Sequence, residues 1–276
     1  MTALSYFFIF FFGLAVGSFL NCVIYRLEEG KSFLKGRSYC PHCKHNLSWQ
    51  DLVPVLSFLI LRGKCRYCRG KISVQYPLVE IATGLLFVSA FWISPQPLSR
   101  GWATQPIGNG LWSDFGLWIL ISSFLIIIFV YDLKHYIIPD RVIYPAILVS
   151  GIWYPVSGIF FDSYTEYDIL NTIYSAVGAA LFFLIIVLVS RGKWMGVGDI
   201  KLAFLMGLIL GWPNILVALF LAFSIGAIVG ISLIILKKKG LKSEVPFGPF
   251  LVAGTFLALF WGGDIVSWYL GLIMLK

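Results

Sequence analysis

The chain has 276 residues, of which 59% are hydrophobic, 17% aromatic and 12% charged, and its mean hydropathy is +0.88. A soluble domain carries about 25% charged residues, so this chain lacks the polar side chains that a water-facing globule needs, and its apolar content excludes disorder. The net charge of +8 comes from basic residues confined to short loops, which is typical of the cytoplasmic loops of a membrane protein. We therefore expect no nucleic-acid partner.

Eight apolar segments follow one another along the chain, and a spanning helix needs about 20 mostly apolar residues. They predict an all-α polytopic membrane protein with about eight transmembrane helices. Residues 211–214 are predicted to form a turn, and Ile265 to Leu275 form a last apolar stretch that is too short to span and is expected at the interface. The eight segments are residues 4–25, 74–93, 114–131, 142–161, 171–190, 199–212, 214–236 and 247–262.

The basic residues predict the orientation of the chain in the membrane. Nineteen of the 21 Lys and Arg residues lie in the loops at 26–73, 132–141, 191–201 and 237–245, whereas Arg100 lies on the other side. We assign the basic side to the cytoplasm, which places the N-terminus outside. No basic residue precedes the first apolar run, so we interpret this run as an uncleaved helix and not as a secretory signal.

The cytoplasmic loop at 26–73 contains two C-x2-C pairs. These are Cys40 with Cys43, and Cys65 with Cys68. Two such pairs are typical of a tetrahedral Zn²⁺ site, because each offers two thiolates on one tight turn, and a reducing cytoplasm disfavours disulfides. Four thiolates leave no open position for water, so the pattern predicts a small zinc-binding loop domain whose metal is structural. His42 and His45 are competing ligands, and a redox role is the alternative; Cys22 is most simply a core residue.

Acidic residues inside apolar helices, or at their ends, are costly in a membrane and indicate functional sites. Glu80 lies inside the second segment, Asp132 ends the third and Asp199 opens the sixth. Each aspartate can also be a helix-end residue that faces water. That interpretation suits Asp140, which follows Pro139 and is placed to cap the next helix.

The predicted topology puts Asp132 and Asp199 on the same side of the membrane. Gly196 and Gly198 permit close approach of the backbone beside Asp199. Two carboxylates within hydrogen-bonding reach in a low dielectric cannot both ionise, so one keeps a proton. An aspartyl protease needs this arrangement, since the ionised acid activates water and the protonated acid donates to the scissile carbonyl.

An ordered set of motifs extends over nearly the whole chain. It comprises the run from Gly17 to Leu27, the two cysteine pairs, Tyr76-Pro77-Leu78-Val79-Glu80, the segment from Asp132 to Asp140, Gly196-Val197-Gly198-Asp199-Ile200-Lys201 and Pro246-Phe247-Gly248-Pro249-Phe250. On these residues the chain resembles the bacterial type IV prepilin peptidases, which are membrane aspartyl proteases of the GxGD type. Cys22 stands where many members of that family have Val.

The resemblance implies two activities in the bacterial inner membrane. The first is cleavage of the leader of prepilins or pseudopilins at the cytoplasmic face, typically between Gly and Phe, with Asp132 and Asp199 as the matching catalytic pair. The second is N-methylation of the new amino terminus with S-adenosylmethionine, which members with the cysteine loop usually perform. The predicted domains are the first helix (1–25), the zinc loop (26–73), the second helix with its outer loop (74–113) and the membrane peptidase domain (114–276).

The site of the methyl donor is less well indicated. No glycine-rich nucleotide fingerprint follows a predicted strand. Glu80 is a candidate by its location, and the alternative is that it forms a hydrogen bond with Asn21 or Arg26. The sequence does not indicate the oligomeric state.

Three further residues are expected to support the aspartate pair. Lys201 is placed to tune the pair or, alternatively, to face lipid headgroups. Gly248, which follows Pro246 by two residues, indicates a broken helix entry near the pair, and the alternative is a plain start of the last helix.

Two other functions fit parts of the pattern. A peptidase without methylase activity would use the cysteine loop for structure alone. An ion-coupled transporter would require acids near the middle of the membrane and duplicated halves, whereas the acids here cluster at one side.

Overall fold

The computed structural model describes residues 3–32, 36–93, 111–161, 166–236 and 245–274. This part of the chain is helical, with two isolated β-bridges in the cysteine loop and no strand among the described residues. The helices are α1 (Ala3–Glu28), α2 (Leu56–Ile60), α3 (Gln75–Ile93), α4 (Leu111–His135), α5 (Asp140–Phe161), α6 (Glu166–Ser190), α7 (Val197–Leu210), α8 (Asn214–Ile235) and α9 (Gly248–Met274), and a 3₁₀ turn covers Trp49–Leu52.

Each of the eight predicted apolar segments overlaps one of the long helices α1 and α3 to α9. Within the described ranges, five helices are long and apolar enough to cross a membrane, namely α1, α4, α6, α8 and α9. The chain is therefore a helical membrane protein. α7 has 14 residues, a length of about 21 Å, and is shorter than the hydrocarbon core of about 30 Å.

The end of the chain differs from the prediction. α9 continues without a break from Gly248 to Met274, so the expectation of a separate short segment from Ile265 is wrong. Gly262 interrupts the apolar pattern in the sequence, but in the structure it is a packing residue, because a Cβ there would lie 2.8 Å from Asn214 Oδ1 of α8. The predicted outer loop with Arg100 and the basic run at 237–242 lie outside the described residues.

The contacts divide the chain into two compact units. The first comprises Met1–Trp92 and Trp118–Ile127, and the second comprises Ile93–Leu117 and Ile128–Lys276. The first unit contains α1, the cysteine loop and α3. The second contains the end of α4 and helices α5 to α9, together with both candidate catalytic aspartates.

In the first unit, α1 and α3 approach each other through small residues. A Cβ at Gly13 would lie 2.6 Å from Gly84 Cα, and a Cβ at Gly17 would lie 2.7 Å from Glu80 Cα. Gly13 and Gly17 form a GxxxG pattern, which allows the backbones of spanning helices to pack closely. This contact sets the level of α3 along α1, and the sequence analysis did not identify it.

In the second unit, α7 is the central helix. From Leu202 to Leu210 nearly every residue of α7 is buried, as expected for a helix that is apolar on all sides. Gly207 lies directly against the backbone of Ala176 in α6. α7 ends at the predicted turn, where Gly211 has a φ of 63° and its N–H donates to the Gly207 carbonyl oxygen at 3.0 Å.

Candidate active site and metal centre

Asp132 lies one turn before the end of α4 and is 4% exposed. α4 ends at this point because Tyr136 takes a left-handed conformation with a φ of 58°, and its N–H donates to the Asp132 carbonyl oxygen at 2.9 Å. Such a cap reverses the chain after a helix. The following residues, including Ile138, lead into α5 at Asp140. The Asp132 carboxylate is thus a buried acid at the end of a spanning helix.

Asp199 lies in the first turn of α7, and its Oδ2 accepts a hydrogen bond from the Gly196 N–H at 3.0 Å. A side-chain cap of this kind satisfies a backbone donor that the helix itself leaves free. A Cβ at Gly198 would lie 3.2 Å from Ile138 Cβ. Glycine at 198 therefore lets α7 begin directly against the segment that follows Asp132.

The structure brings the two aspartates together, since their carboxylates are close enough to interact electrostatically. The Gly248 N–H is within hydrogen-bonding reach of the Asp132 carboxylate. A Cβ at Gly248 would lie 2.5 Å from Asp132 Oδ2, so only a residue without a side chain fits. Both carboxylates lie at the start of a helix, α7 or α9, where free N–H groups and the helix dipole stabilise negative charge. Repulsion between two nearby carboxylates opposes ionisation of both at once.

A phenylalanine cluster holds the start of α9 in place. The ring centroid of Phe247 lies 5.0 Å from that of Phe223 in α8 and 6.3 Å from that of Phe183 in α6. Phe250 joins the cluster with its centroid 6.2 Å from that of Phe247. Because Phe247 precedes Gly248 directly, the cluster positions the N–H that faces Asp132. The sequence analysis singled out Pro246 and Gly248 and missed these rings, which only the packing brings together.

The aspartates lie deeper than the ends of the neighbouring helices. The start of α9 lies beside Phe183 of α6, whose ring contacts Phe247. It also lies beside Gly226 of α8, where a Cβ would be 3.3 Å from the Phe250 ring. Beyond these contacts α6 continues for seven residues and α8 for nine, which is about 10 and 13 Å of helix. Exposed apolar side chains follow both extensions, among them Ile185, Leu188, Val189, Ile228, Ile231 and Ile235.

Lys201 has a different partner from those that the sequence analysis proposed. Its Nζ donates to Asp140 Oδ1 at 2.6 Å and lies 4.9 Å from the centroid of the Tyr144 ring. Asp140 and Tyr144 both belong to α5, so Lys201 connects α7 to α5. Asp140 is the first residue of α5, and its side chain is 61% exposed. An exposed ion pair of this kind contributes about 0–1 kcal/mol.

The four loop cysteines form a group whose sulfur atoms all lie within 4.8 Å of one another. Cys40 Sγ and Cys68 Sγ are 3.9 Å apart, which is about the edge of a tetrahedron around Zn²⁺ with bonds of about 2.3 Å to sulfur. His45 stacks on Tyr67 with ring centroids 3.8 Å apart and is not part of this group. The chemistry and spacing of the donors therefore fit a four-thiolate metal site.

The two cysteine pairs adopt the same backbone conformation. Cys40 donates its N–H to the His45 carbonyl oxygen at 3.0 Å, and Lys44 donates to the Cys40 carbonyl oxygen at 2.8 Å. Cys65 repeats both bonds with Gly70 and Arg69. Lys44 and Arg69 also share a left-handed φ, of 58° and 57°. The loop is thus built from two equivalent metal knuckles, a local repeat that the sequence analysis did not recognise.

The surroundings of Cys40 favour the thiolate form of its side chain. Its burial raises the pKa, but backbone N–H groups of Cys43 and His42 stabilise the thiolate and bring the pKa down to about 7. A lowered pKa favours the thiolate, which is the form that binds metal.

The Glu29 carboxylate connects the first knuckle to the end of α1 through hydrogen bonds and an ion pair. Its carboxylate accepts hydrogen bonds from Lys31 Nζ and from the hydroxyls of Tyr25 and Tyr39. Lys44 Nζ, one residue after the knuckle, lies 3.8 Å away. The hydrogen bond from Lys31, followed by those from Tyr25 and Tyr39, lowers the pKa of Glu29 to about 2. Only Tyr39 and Lys44 directly flank the first cysteine pair, which is the signal that could have identified them.

Asp51 has the same role for the second knuckle. Its side chain is 3% exposed and accepts hydrogen bonds from Arg66 Nε at 2.8 Å, from Ser48 Oγ at 2.8 Å and from the Tyr67 hydroxyl at 3.3 Å. Burial raises the pKa of Asp51, but the bonds from Ser48 and Arg66 outweigh it and hold the pKa below its usual value. Arg66 and Tyr67 lie between the two cysteines of this knuckle, so Asp51 fixes its conformation.

Glu80 is 6% exposed. Its Oε2 accepts a hydrogen bond from the Val55 N–H at 2.7 Å. Asn21 instead donates to the Tyr76 carbonyl oxygen at 3.1 Å, and Arg26 donates to carbonyl oxygens early in the loop. Glu80 thus connects the cysteine loop to α3.

Two family models match the chain. The model for the bacterial peptidase A24 N-terminal domain matches residues 11–94, and the model for the type IV leader peptidase family matches residues 119–231. The first match contains all four loop cysteines and Glu80, and the second contains Asp132 and Asp199. No solved structure gave a significant match.

Curated relatives are similar over nearly the whole chain. A protein of Aeromonas hydrophila named prepilin leader peptidase/N-methyltransferase is 32% identical, with 95% of this chain and 92% of the relative covered. Proteins with the same name from Legionella pneumophila and Bacillus subtilis are 32% and 29% identical, with 94% and 95% of this chain and 92% and 96% of the relatives covered.

The fold and the site define the class: a helical membrane protein with two aspartates at two helix starts, one of them the buried Asp132, and a separate four-cysteine group. The matches identify the family within this class. The chain belongs to the type IV leader peptidase family.

Proposed function

We propose that this protein is a membrane aspartyl endopeptidase that removes the leader peptide of type IV prepilins or pseudopilins and then methylates the new amino terminus. The observation that carries the peptidase assignment is the position of Asp199 within electrostatic range of Asp132, whose carboxylate faces the Gly248 N–H. The relatives' shared name, prepilin leader peptidase/N-methyltransferase, supports both activities.

In the proposed cleavage step, Asp132 and Asp199 hold one proton between them. The ionised carboxylate takes a proton from water, which attacks the scissile carbonyl, and the protonated carboxylic acid donates to the carbonyl oxygen. The tetrahedral species then collapses with proton transfer to the leaving amine. As the C–N bond breaks, the aspartic acid donates its proton to the amine, and the ionised aspartate takes a proton from a hydroxyl of the tetrahedral species, so the pair again holds one proton.

The recessed position of the pair suits such a substrate. A prepilin offers a basic leader, a junction of Gly and Phe, and then an apolar helix. The exposed apolar side chains on the extensions of α6 and α8 can contact the apolar residues after the junction. The leader stays on the basic, cytoplasmic side, so its charges need not enter the hydrocarbon.

For methylation, we propose S-adenosylmethionine as the donor, on the strength of the family. When bound, it supplies an electrophilic methyl group to a neutral amine, and catalysis is largely positioning. Glu80 is the candidate residue for this site. Glu80 is buried and bonded to Val55. These contacts are better suited to positioning the loop than to touching the donor, so we assign Glu80 no part in the transfer itself.

We propose that Cys40, Cys43, Cys65 and Cys68 hold a structural Zn²⁺. The ion would replace the hydrophobic core that a loop of this length lacks. The full arrangement that we propose has eight spans in the bacterial inner membrane, the N-terminus outside, and the zinc loop and the aspartates on the cytoplasmic side.

The first test of this function is mass spectrometry of a synthetic prepilin incubated with purified protein. We expect the wild type to remove the leader, whereas Asp132→Asn and Asp199→Asn each lower the rate by at least about 100-fold, because neither variant retains both carboxylates. Asp140→Asn is the matched control, since this acid lies near the pair and is exposed. Normal cleavage by either pair variant would contradict the catalytic assignment.

The same assay separates the alternatives. A mass gain of one methyl group that depends on S-adenosylmethionine would support the bifunctional enzyme. Leader removal without that gain would leave a peptidase alone. If folded wild-type protein leaves the prepilin intact, the transporter alternative must be reconsidered.

A further inference from the structure

The cysteine loop carries an apolar surface that is distinct from the metal group and from the aspartate pair. We call it the loop patch: Trp49, Leu52, Leu56, Leu59 and Ile60, which belong to the 3₁₀ turn and to α2. Trp49 and Ile60 are each 76% exposed, and Leu59 is 62% exposed. Several large apolar side chains exposed together on a short segment mark an interaction site.

A hydrogen bond fixes the depth of the loop patch along α3. Val55, the residue directly before α2, donates its N–H to Glu80 Oε2 at 2.7 Å. A Cβ at Gly17 of α1 would lie 2.7 Å from Glu80 Cα, and Gly17 lies 11 residues before Glu28, the end of α1, which is about 16 Å along the helix. α1 has 26 residues, a length of about 39 Å, so a hydrocarbon core of about 30 Å centred on it ends about 4 Å before Glu28. Glu80, and with it Val55, therefore lies roughly 10 Å inside the core boundary on the side of the loop.

The backbone at Val55 shows that tertiary contacts impose this position. Val55 has a φ of 58°, a region that β-branched residues avoid because their side chain collides with the backbone. Such a conformation costs about 1–3 kcal/mol and persists only when the surroundings hold it. The bond to the buried Glu80 carboxylate supplies that constraint, and it bends the loop back alongside α3.

Charge complements the apolar side chains. From Leu52 to Val79 the chain has five basic residues and no Asp or Glu. All five are exposed: Arg66 pairs with Asp51, and the other four are Arg62, Lys64, Arg69 and Lys71. Basic residues beside an apolar segment at the membrane surface bind anionic lipid headgroups, with about 1 kcal/mol from each. Trp49 adds a side chain that prefers the interface.

We propose that the loop patch inserts into the leaflet on its own side of the membrane, with the neighbouring cations on anionic headgroups. The occupant of the surface is the lipid bilayer, because the bond from Val55 holds the patch at the depth of Glu80, and Leu78 and Leu85 of the same helix α3 are apolar and 60% and 57% exposed. The cysteine loop is then a membrane-anchored element and not a free cytoplasmic domain. This proposal does not depend on the enzymatic function.

The test is photolabelling of the full-length protein in vesicles of phosphatidylethanolamine and phosphatidylglycerol. One sample contains a lipid-soluble diazirine and the other a water-soluble one, and mass spectrometry locates the labels. We expect residues 49–60 to take the lipid-phase label as strongly as the exposed end of α8, and several-fold more strongly than Tyr67 of the second knuckle, which is 43% exposed. Preferential labelling of residues 49–60 from the water phase would overturn the proposal.

A variant and a dilution series complete the test. Leu59→Asp with Ile60→Asp should lose most of the lipid-phase label, and bound zinc reports that the loop is still folded; an unchanged label in this variant contradicts insertion. If a second copy covers the patch instead, protection from the water-phase reagent will also occur in detergent and will disappear on dilution. If a substrate helix covers it, protection will require added prepilin. Either result rejects the bilayer as the occupant.

Discussion

The candidate active site depends on glycines without a side chain as much as on the two carboxylates. Asp132 supplies a carboxylate, but its neighbour Gly248 is acceptable only because it has no Cβ. Gly198 has the same function between α7 and Ile138. The two acids therefore lie at helix starts where the backbone N–H groups of Gly196 and Gly248 reach the carboxylates of Asp199 and Asp132.

We predict that Gly248→Ala lowers the rate of leader cleavage by about 100-fold, because a shift of about 1 Å at a catalytic group costs that much. The added Cβ would lie 2.5 Å from Asp132 Oδ2, so the carboxylate must move away from its N–H donor. Gly271→Ala, in the same helix but with open space around it, is the control and should cleave normally. The rate of leader release from a synthetic prepilin measures both. Equal rates for the two variants would show that the contact with Asp132 is unimportant.

The helices of the second unit pack through small residues, and this packing sets their levels. α7 is apolar on all sides and buried, and its Gly207 lies against the backbone of Ala176. Gly254 of α9 lies in the same way against Ala218 and Ala222 of α8. Without a hydrophobic driving force between helices in lipid, such close backbone contacts supply the van der Waals energy of association. They also leave the ends of α6 and α8 beyond the aspartates.

At this scale we expect Gly207→Ala to destabilise the second unit by about 1–3 kcal/mol, since an extra methyl group must be accommodated between two backbones. Gly178→Ala in α6 is the matched control, because a Cβ there meets nothing within 4 Å. In a helix interior, alanine is favoured over glycine by about 0.5–1 kcal/mol, so the control should be neutral or stabilising. Unfolding in mixed micelles, followed by circular dichroism, compares the two. A control as unstable as Gly207→Ala would argue against the contact.

In the whole molecule, the two candidate sites belong to different units. The four cysteines, with Glu29, Asp51 and Glu80, lie in the first unit, and the aspartate pair lies in the second. The two family models divide the chain similarly, at residues 11–94 and 119–231. Loss of metal from the first unit should therefore leave the core of the second unit intact.

This division gives a prediction for zinc. Protein purified under reducing conditions should contain an equimolar amount of zinc, and Cys40→Ser should lose it because a four-thiolate site needs all its ligands. Cys22→Ser is the control, since Cys22 lies outside the sulfur group. Elemental analysis measures the metal, and limited proteolysis should show new cleavage in the loop of Cys40→Ser, with α6 to α9 unchanged. Metal-free wild-type protein would refute the site.

Particular residues show how far the sequence could predict the site. The spacing of Cys40, Cys43, Cys65 and Cys68 predicted a metal group, because four ligands on two tight turns are a local pattern. The partner of Lys201 could not be predicted, since Asp140 is 61 residues away and many acids were equally available. The role of Glu80 could not be predicted either. Its partner is the backbone N–H of Val55, and every residue except proline has such a group, so the sequence does not indicate which one Glu80 binds.

The sequence by itself determined the class of protein and the places of its long helices, because hydropathy depends on each segment alone. It also determined the residue types that carry the chemistry, through motifs that are contiguous in the chain. Only the tertiary structure decided the level of each helix, and with it the recessed position of the aspartates, the Gly248 N–H beside Asp132 and the bond from Val55 that joins the cysteine loop to Glu80 of α3. These depend on contacts between backbones and on glycines as distant as Gly17 and Gly207, and no local pattern specifies which distant surface a glycine will meet.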